Sequence, residues 1–408
     1  MVGTFLKKSF HDVPLDGKTV LVRVDYNVPL LADGTIGDDF RIKASLPTIH
    51  ELIKRRCKII LIAHLGRPDG TPNDKDSLEP VAHRLIELLQ KPIKFVDDCV
   101  GDKVVQASKR LHPGDVLLLE NLRFHPGEAA NDGAFAKQLA VDTSADYFVQ
   151  DGFGICHRAQ ASTEGITHYL PSSAGLLLQK EYIALTQAMS NPKHPMTAVL
   201  GGAKISDKIS VIETFAHTAD TIVIGGAIAN TFLKYHGFGI GKSLYEEGLE
   251  DTIDAIYLAA QRRTPDVHSL ILLPKDVAVA KSLDKDAKRN IVLLNDVADD
   301  DYILDIGDAT IEQYAQKISS AKTVVWSGTL GYAEAPAFAH GSARAALAIA
   351  TSDADQTSVV GGGDTVDFVL GWSGGDTSSF SHISSGGSAS IELMSGVKLP
   401  GIEALMNK

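Results

Sequence analysis

The chain has 408 residues, of which 44% are hydrophobic and 22% charged, and its formal net charge is −12 at pH 7. This length is too great for one hydrophobic core, so we expect two domains of roughly 200 residues each. The acidic total argues against nucleic acid as a partner, because a phosphate backbone requires a basic surface.

Hydropathy and cysteine spacing narrow the class of protein further. No apolar run approaches the about 20 residues that a membrane helix needs. The N-terminus, MVGTFLKKSFHDV, lacks the apolar stretch of a secretory signal, so we expect no membrane association and a cytoplasmic location. Cys57, Cys99 and Cys156 are widely separated, which fits neither a disulfide framework nor a zinc cluster.

In the first part of the chain, short β-branched apolar runs alternate with amphipathic stretches. The runs predict strands at 19–26, 58–66, 115–124 and 146–154. Between them, apolar residues recur at the helical spacing of three and four in 42–56 and 78–91.

The second part repeats the pattern, after one long predicted helix over 174–191 that ends before Pro192. Continuous apolar runs separated by helices are typical of parallel strands buried on both faces. We therefore predict an α/β fold with two doubly wound, Rossmann-like parallel-sheet domains, separated by a cleft and joined by that helix. The predicted strands of this part are 197–202, 221–228, 269–274, 323–328 and 358–364.

Basic residues concentrate at predicted strand ends in the first domain. Residues 1–180 contain nine of the thirteen arginines and are almost neutral, with 22 Lys and Arg against 23 Asp and Glu, whereas 181–408 carry 17 against 28. Ligands of open parallel sheets bind at the carboxyl ends of the strands. The polar residues found there are Arg23, Asp25, Asn27, His64, Arg67, Arg123, His157 and Arg158, with Arg41 at the start of the next helix.

These arginines have two explanations. Each can pair with a nearby acid, such as Asp25, Glu120 or Asp151. Their repetition at equivalent strand ends favours instead a site for an anion, whose carboxylate or phosphate oxygens suit bidentate guanidinium contacts. His64 and His157 are better explained as structural or hydrogen-bonding groups than as proton-transfer catalysts.

The predicted strands of the second domain end in glycines. One Gly-Gly pair is explained equally well by a tight strand-to-helix turn, but GGGDT at 361–365 and GGAK at 201–204 together favour a nucleotide site. Asp364 is then a candidate ligand of nucleotide-bound Mg²⁺, and Thr365 a candidate helix cap that also touches phosphate. We expect Lys204 and Lys208 to share one face of a helix that starts near Ile205.

Two apparent nucleotide motifs are rejected. HGFGIGKS at 236–243 has His236 where a Walker A loop requires glycine, and it follows a helical pattern instead of a strand. No G-x-G-x-x-G followed by an acidic residue about 20 positions later opens the chain. An arginine-lined anion pocket and a glycine-lined phosphate site therefore indicate phosphoryl transfer between two domains that close to exclude water.

The motifs as a set resemble those of the phosphoglycerate kinase family, in the same order and over essentially the whole chain. They are RVDYNVP (23–29), AHLGRP (63–68), LLENLRFHPGE (118–128), LGGAKISDK (200–208), GGGDT (361–365) and LPGIEAL (399–405). The resemblance implies reversible transfer between MgATP and 3-phosphoglycerate, giving 1,3-bisphosphoglycerate and MgADP. It also implies a hinge-bending monomer with domains at 1–175 and 176–395. Residues 396–408 are expected to pack on the first of these domains.

Site residues carry over by position. The resemblance implies catalytic roles for Arg41, Lys204 and Lys208, and an Mg²⁺ contact for Asp364. Phosphoglycerate binding is predicted for Arg23, Asp25, Asn27, Arg41, His64, Leu65, Gly66, Arg67, Arg123 and Arg158. Nucleotide binding is predicted for Gly202, Ala203, Lys204, Lys208, Gly226, Glu334, Gly362, Gly363, Asp364 and Thr365.

Several positions depart from the family pattern. In WSGTLGYAE (326–334), Ser327 replaces an asparagine and Thr329 a proline, which bears on the nucleotide contacts. Ser388 stands where a glycine is expected, and Lys275 replaces a typically apolar residue. DGFGICHRAQAS (151–162) also differs from the usual D-A-F-G-T-A-H-R-A-H-A-S. These departures motivate an alternative hypothesis, a non-catalytic two-lobed protein that binds a phosphorylated metabolite.

Overall fold

The structure, a computed structural model, describes residues 5–353 and 355–408. These residues form two compact units. Unit 1 contains the described residues up to Ile183 together with Val397–Lys408, and unit 2 contains Ala184–Gly396. The predicted domain boundary after residue 175 falls at the start of the helix Leu176–Ser190, whereas the observed division falls inside that helix.

Unit 1 is built on a sheet of six strands, all paired in parallel, in the order β3-β4-β2-β1-β5-β6. Its central strands are almost entirely buried apolar segments, as expected of parallel strands covered on both faces. The strands are β1 (Thr19–Arg23), β2 (Lys58–Ile62), β3 (Ile93–Val96), β4 (Val116–Leu119), β5 (Tyr147–Gln150) and β6 (Ser172–Ala174).

The helices of unit 1 begin and end largely at sequence signals. Pro80 lies in the first turn of its helix, where a missing N–H costs nothing, and Ser190 ends another helix two residues before Pro192. The helices are α1 (Phe40–Lys54), α2 (Glu79–Leu89), α3 (Asp102–Lys109), α4 (Pro126–Ala129), α5 (Gly133–Thr143) and α6 (Leu176–Ser190), the last of which continues into unit 2.

The C-terminal segment belongs to unit 1. The backbone N–H of Lys8 donates to the carbonyl of Met406 (2.7 Å), and that of Gly401 donates to Cys156 (2.9 Å). These bonds join the last residues to both the first described segment and the turn after β5.

Unit 2 contains a second parallel six-stranded sheet, in the order β15-β14-β13-β7-β8-β9. The prediction of two parallel α/β sheets is therefore confirmed. The elements in chain order are β7 (Met196–Leu200), α7 (Ile209–Thr218), β8 (Thr221–Ile224), α8 (Gly226–Tyr235), α9 (Glu250–Gln261), α10 (Val267–Leu270), β9 (Ile271–Leu272), β10 (Asp276–Ala280), β11 (Asn290–Leu293), β12 (Tyr302–Ile306), α11 (Asp308–Ser320), β13 (Thr323–Ser327), α12 (His340–Ala350), β14 (Thr357–Gly361), α13 (Gly363–Trp372), β15 (His382–Ile383), α14 (Ser388–Met394) and, back in unit 1, α15 (Pro400–Glu403).

A three-stranded antiparallel sheet, in the order β11-β10-β12, is a feature of unit 2 that the sequence prediction missed. Strand β11, NIVL, is mostly exposed and contains an apolar run only a few residues long. Strand β9, predicted as a six-residue segment, is only two residues long.

The predicted helix start near Ile205 is wrong. Helix α7 begins at Ile209, and both Lys204 and Lys208 lie in the loop before it. The predicted strands also run too far into the polar turns that follow them, as at β1, which ends at Arg23. In the described part of the chain, none of the helices combines the length and apolar character required to cross a membrane.

Candidate functional site

In unit 1, strand register brings the predicted anion-binding residues to one edge of the sheet. Arg23 at the end of β1 pairs with Ile62 on β2 and with Gln150 on β5. The residues that follow these three strands therefore meet at the same edge, among them Asp25 and His64.

Arg23 lies beneath this edge and is fully buried. Its Nε donates to Ser162 Oγ (2.7 Å) and its Nη1 to the carbonyl of Val24 (2.5 Å). The carboxylate of Glu128, also fully buried, lies 3.9 Å from Nη2 and accepts the Ser162 hydroxyl (2.6 Å). A buried guanidinium requires such partners, so the surroundings of Arg23 are those of a structural cation.

His64 is fixed as a neutral imidazole by this arginine. Arg23 Nη2 lies 3.2 Å from His64 Nδ1 and has only hydrogens to offer, so Nδ1 accepts and Nε2 carries the ring proton. Burial, and then the positive charges of Arg23, Arg123, Arg41 and Arg158, hold the pKa of His64 well below its ordinary value. Among these arginines, Arg23 contacts the imidazole directly.

Arg41 and Asp25 form an ion pair at the more open side of the cluster. Arg41 Nη1 donates to Asp25 Oδ2 (2.9 Å), and 28% of the Arg41 side chain remains exposed. The other Asp25 oxygen accepts the backbone N–H of Asn27 (3.1 Å). Arg41 is therefore paired with an acid, as the first explanation of the arginines proposed. It nevertheless remains partly exposed to solvent.

The loop after β2 is held by side chains from two other strand ends. Asn27 Oδ1 accepts the N–H of Gly66 (2.9 Å), and Arg123 Nη1 donates to the Gly66 carbonyl (2.7 Å). Gly66 has φ +63°, and a Cβ there would lie 2.0 Å from Asp76 Oδ1, so only glycine fits. Leu65 is buried and offers the site only its backbone.

The remaining predicted arginines complete the positive cluster. Burial and the charges of Arg23, Arg158 and Arg67 lower the pKa of Arg123 to about 10. Arg67 and Arg158 are exposed, and Arg158 Nε donates to His157 Nε2 (3.1 Å). In this cluster of unit 1, the positive charges of the arginines outnumber the negative charges of the nearby carboxylates. This excess favours binding of a polyanion.

In unit 2, register brings three glycine-rich turns together. Ser327 at the end of β13 pairs with Leu200 on β7 and Gly361 on β14, so the loops that begin at Gly201, Gly328 and Gly362 are adjacent. Gly328 has φ +99°, and a Cβ at this position would lie 2.0 Å from the Gly201 carbonyl and 2.4 Å from Lys208 Nζ. Glycine is required here by both conformation and close approach.

Lys208 is buried among these turns. Its Nζ donates to the carbonyls of Gly201 (2.7 Å) and Ser327 (2.8 Å). Burial lowers the pKa of Lys208 to about 8, and the opposing effects of Asp364 and Asp207 are smaller. The ammonium is thus held in place by backbone carbonyls beside the N-terminus of α13.

Five of the other predicted nucleotide-binding residues line a cavity in unit 2 of about 480 Å³. Its lining includes Gly202, Ala203, Gly226, Glu334 and Asp364. Lys204 is exposed in the same loop as Ala203, while Gly362 and Gly363 open α13. The free N–H groups of that helix turn are suited to phosphate, and the exposed Asp364 carboxylate in the same turn is suited to a divalent cation.

Two expectations about single side chains change. Thr365 does not cap α13, whose N-cap is Gly362; it is buried, and its Oγ1 accepts the N–H of Gly328 (2.6 Å). Ser327 is fully buried, and within the described residues its Oγ has no hydrogen-bond partner. The substituted Thr329 accepts the N–H of Gly202 through its carbonyl (2.9 Å), a contact that does not depend on its side chain.

Sequence reasoning missed two groups of supporting residues. Glu128 and Ser162 hold Arg23, and they lie in the motifs LLENLRFHPGE and DGFGICHRAQAS. Asp305 and Tyr302 line the unit 2 cavity but come from the unpredicted strand β12. Burial raises the pKa of Asp305 to about 7. The hydrogen bonds that its carboxylate accepts from backbone N–H groups act in the opposite direction and lower the pKa.

A polyanion site on one α/β unit and a helix-terminal phosphate site with a buried lysine on the other are features of the phosphotransferase class. Comparison with known proteins identifies the family within that class. The family model described as phosphoglycerate kinase matches residues 10–397. The chain therefore belongs to the phosphoglycerate kinase family and has the kinase activity for which that family is named.

Individual relatives agree with this assignment over nearly their whole length. The phosphoglycerate kinase of Moorella thermoacetica is 48% identical over 405 residues, which cover 98% of this chain and 100% of that protein. That of Chlorobium phaeobacteroides is 45% identical, with coverage of 98% and 99%.

Solved structures give the same result. The phosphoglycerate kinase from Coxiella burnetii matches with a TM-score of 0.82 at 37% identity, and that from Pyrococcus horikoshii with 0.83 at 32%. Each match covers 98% of both chains. The comparisons give no support to the alternative of a non-catalytic binding protein.

Proposed function

We propose that this enzyme transfers a phosphoryl group reversibly between MgATP and the carboxylate of 3-phosphoglycerate, giving 1,3-bisphosphoglycerate and MgADP in glycolysis and gluconeogenesis. The observation that carries the substrate assignment is the set of arginine contacts at one edge of the unit 1 sheet. Arg23 lies 3.2 Å from His64, Arg41 donates to Asp25, and Arg123 donates to the Gly66 carbonyl. A small metabolite with both a carboxylate and a phosphate can neutralise such a cluster through bidentate contacts.

Within unit 1, we assign direct contacts to the groups that remain accessible. These are the side chains of Asn27, Arg41, Arg67, Arg123 and Arg158, together with the backbone around Gly66. We also assign a contact to the Nε2–H of His64, although only 4% of this residue is exposed. Asp25 orients Arg41 through their 2.9 Å ion pair. Arg23 is assigned a positioning role, because its nitrogens already bond Ser162, Val24 and His64.

Within unit 2, the nucleotide phosphates bind at the turn that opens α13 and at the loop from Gly202 to Lys208. Lys208 supplies a fixed positive charge to the transferring phosphoryl group, and Lys204 supplies a mobile one. Phosphoryl transfer depends on such positioning and charge neutralisation, with little need of a covalent nucleophile. Transfer proceeds in line, after hinge closure excludes water.

Mg²⁺ accompanies the nucleotide, and the donor set fits it. Asp364 is an exposed carboxylate in the first turn of α13, and Mg²⁺ is ordinarily held by one or two carboxylates together with substrate phosphates. Bound there, the ion would offset negative charge on the phosphates. We further propose that the enzyme is a cytoplasmic monomer, as the family resemblance implies.

A coupled spectrophotometric assay with 3-phosphoglycerate, run with ATP and GTP side by side, tests the reaction and the nucleotide preference. Arg41→Ala is expected to lower kcat by about 100-fold or more, as for removal of one charge-stabilising donor. Arg55→Ala is the matched control, because Arg55 pairs with Glu51 (3.0 Å) at the opposite end of α1. Equal turnover of the two variants would contradict the role of Arg41, and absence of acyl phosphate would contradict the reaction.

A further inference from the structure

A second group of ligand-type side chains lies at the carboxyl ends of β3 and β4 in unit 1. Asp98 and Cys99 follow β3, and His125 follows the short helical turn after β4. One donor atom from each, a carboxylate oxygen, the thiol sulfur and an imidazole nitrogen, lies within 4.8 Å of the other two. None of the three belongs to the anion site described above.

The side chains of this group are held in place before any ion binds. Asp98 Oδ1 accepts the N–H of Cys99 (2.7 Å) and lies 2.9 Å from His125 Nε2. The imidazole of His125 stacks on Phe135, with ring centroids 5.1 Å apart and an interplanar angle of 22°. Such prior ordering lowers the entropy lost on binding a ligand.

Cys99 differs from the other two cysteines. Cys57 Sγ donates to the carbonyl of Leu15 (3.0 Å) and Cys156 Sγ to that of Gly152 (3.4 Å). Cys99 is fully buried, and within residues 5–353 and 355–408 its sulfur has no hydrogen bond. The unsatisfied thiol is instead directed toward the carboxylate and the imidazole.

We propose that Asp98, Cys99 and His125 form a binding site for a borderline-soft divalent cation, Zn²⁺ or a similar ion. Sulfur, imidazole nitrogen and carboxylate oxygen are the zinc ligands of proteins. Tetrahedral Zn²⁺ places nitrogen and oxygen ligands about 3.3 Å apart, and sulfur about 3.6 Å from either, by the usual bond lengths. Because the donor atoms already lie within 4.8 Å of one another, the separations need to change by no more than about 1.2 Å, which side-chain rotation provides.

An adjacent cavity supplies the fourth ligand position. About 540 Å³ in volume, it is lined by the three residues and also by Asp97 and Glu120. Glu120 already accepts hydrogen bonds from Ser77 and from backbone N–H groups, so its oxygens are occupied. A water molecule therefore completes the tetrahedron, and the acidic surroundings favour a dication.

Cobalt provides the test, because Co²⁺ bound by a thiolate absorbs in the near ultraviolet and tetrahedral Co²⁺ absorbs strongly in the visible. The full chain, treated with chelator and without nucleotide or phosphoglycerate, is titrated with Co²⁺ and then with Zn²⁺. We expect one equivalent of Co²⁺ with both absorption bands, and displacement by Zn²⁺. If no thiolate band develops, the proposal is overturned, and the kinase assignment is unaffected because no substrate is present.

Matched variants locate the site. Cys99→Ser is expected to abolish the thiolate band, whereas Cys57→Ser, another buried cysteine of unit 1, retains it. His125→Gln is expected to weaken Co²⁺ binding by at least about 10-fold. This is the lower limit seen when a group that only hydrogen-bonds a metal ligand is removed, and His125 is proposed as a ligand itself. Its control is His168→Gln, from a histidine that pairs with Glu164 at 3.3 Å without a thiol nearby.

The His125 variants also protect the test against a folding defect, since His125 is partly exposed and Cys99 is not. Near-ultraviolet circular dichroism of each variant verifies the fold. Retention of the full thiolate band in Cys99→Ser, or equal weakening by His125→Gln and His168→Gln, would overturn the proposed ligand set.

Discussion

Lys208 gives the sharpest test of how this site combines stability and catalysis. Its buried ammonium has a pKa of about 8 in place of 10.5. That difference corresponds to about 3 kcal/mol by which the folded chain disfavours the charged form. Replacement by methionine, which is similar in length and uncharged, removes this cost.

The same replacement removes two hydrogen bonds, but they are not equivalent. The Ser327 carbonyl also accepts the N–H of Gly201 (3.1 Å), so it keeps a partner. The Gly201 carbonyl loses its ammonium donor, and an unsatisfied buried carbonyl costs about 1–3 kcal/mol. We therefore expect Lys208→Met to raise the free energy of unfolding by between 0 and about 2 kcal/mol.

Turnover should respond very differently. Loss of one preorganised positive group from the phosphoryl site is expected to lower kcat by about 10²–10³-fold. The coupled assay measures kcat and chemical denaturation measures stability, with Lys275→Met, from an exposed lysine of unit 2, as control. Turnover of Lys208→Met within about threefold of the parent would refute the role of this charge.

The pKa of Lys208 also predicts the pH dependence. The ammonium loses its proton above about pH 8, so kcat of the parent should fall there, and this alkaline limb should be absent from Lys208→Met. Between about pH 8 and 10.5 the unfolded chain binds the proton that the folded chain has lost. This residue's contribution to stability therefore rises with pH across that window.

Three further outcomes follow from single residues. The pKa of His64 is depressed in the folded chain, so near pH 6.5 the unfolded chain takes up a proton that the folded chain does not. The free energy of unfolding should therefore fall below that pH. In denaturation curves at pH 5.5 and 7.5, His64→Gln should remove this component. Ser327→Ala should leave the free energy of unfolding within about 1 kcal/mol of the parent or raise it, since the hydroxyl has no partner within the described residues; a larger loss would contradict that reading. Gly328→Ala should destabilise the fold by about 2 kcal/mol or more, because φ is +99° at this position and the new Cβ would meet backbone atoms. The control is Gly363→Ala, where a Cβ has open space, and it should lower the free energy of unfolding by much less.

The parallel sheets could be predicted because their strands are continuous apolar runs. Strand β2, KIILI, is buried over four of its five residues, and the helices beside it carry the spacing of three and four that marks an apolar face. The strand β11, NIVL, was missed although it contains an apolar run, because a run this short is ambiguous by periodicity alone. Its residues are largely exposed, and its pairing with β10 depends on chain segments that a local pattern does not connect.

Predicted helix boundaries failed where glycine loops intervene. Lys204 and Lys208 are four residues apart, which satisfies the helical period, yet neither lies in α7. The turns around Gly201 and Gly328 pack backbone against backbone, and this packing holds the loop in an irregular conformation. Local spacing carries no information about such long-range contacts.

Burial separates residues that look alike in the sequence. Arg23 and Arg41 are both predicted to bind phosphoglycerate, and Lys204 and Lys208 share one motif. Arg23 and Lys208 are buried and hydrogen-bonded, whereas Arg41 is partly exposed and Lys204 is exposed. The buried cations need no reorganisation when an anion arrives, whereas the accessible ones can follow a moving charge. Preorganised charge of the first kind contributes most to stabilising a transition state, so variants of Lys208 should affect kcat more than substrate affinity.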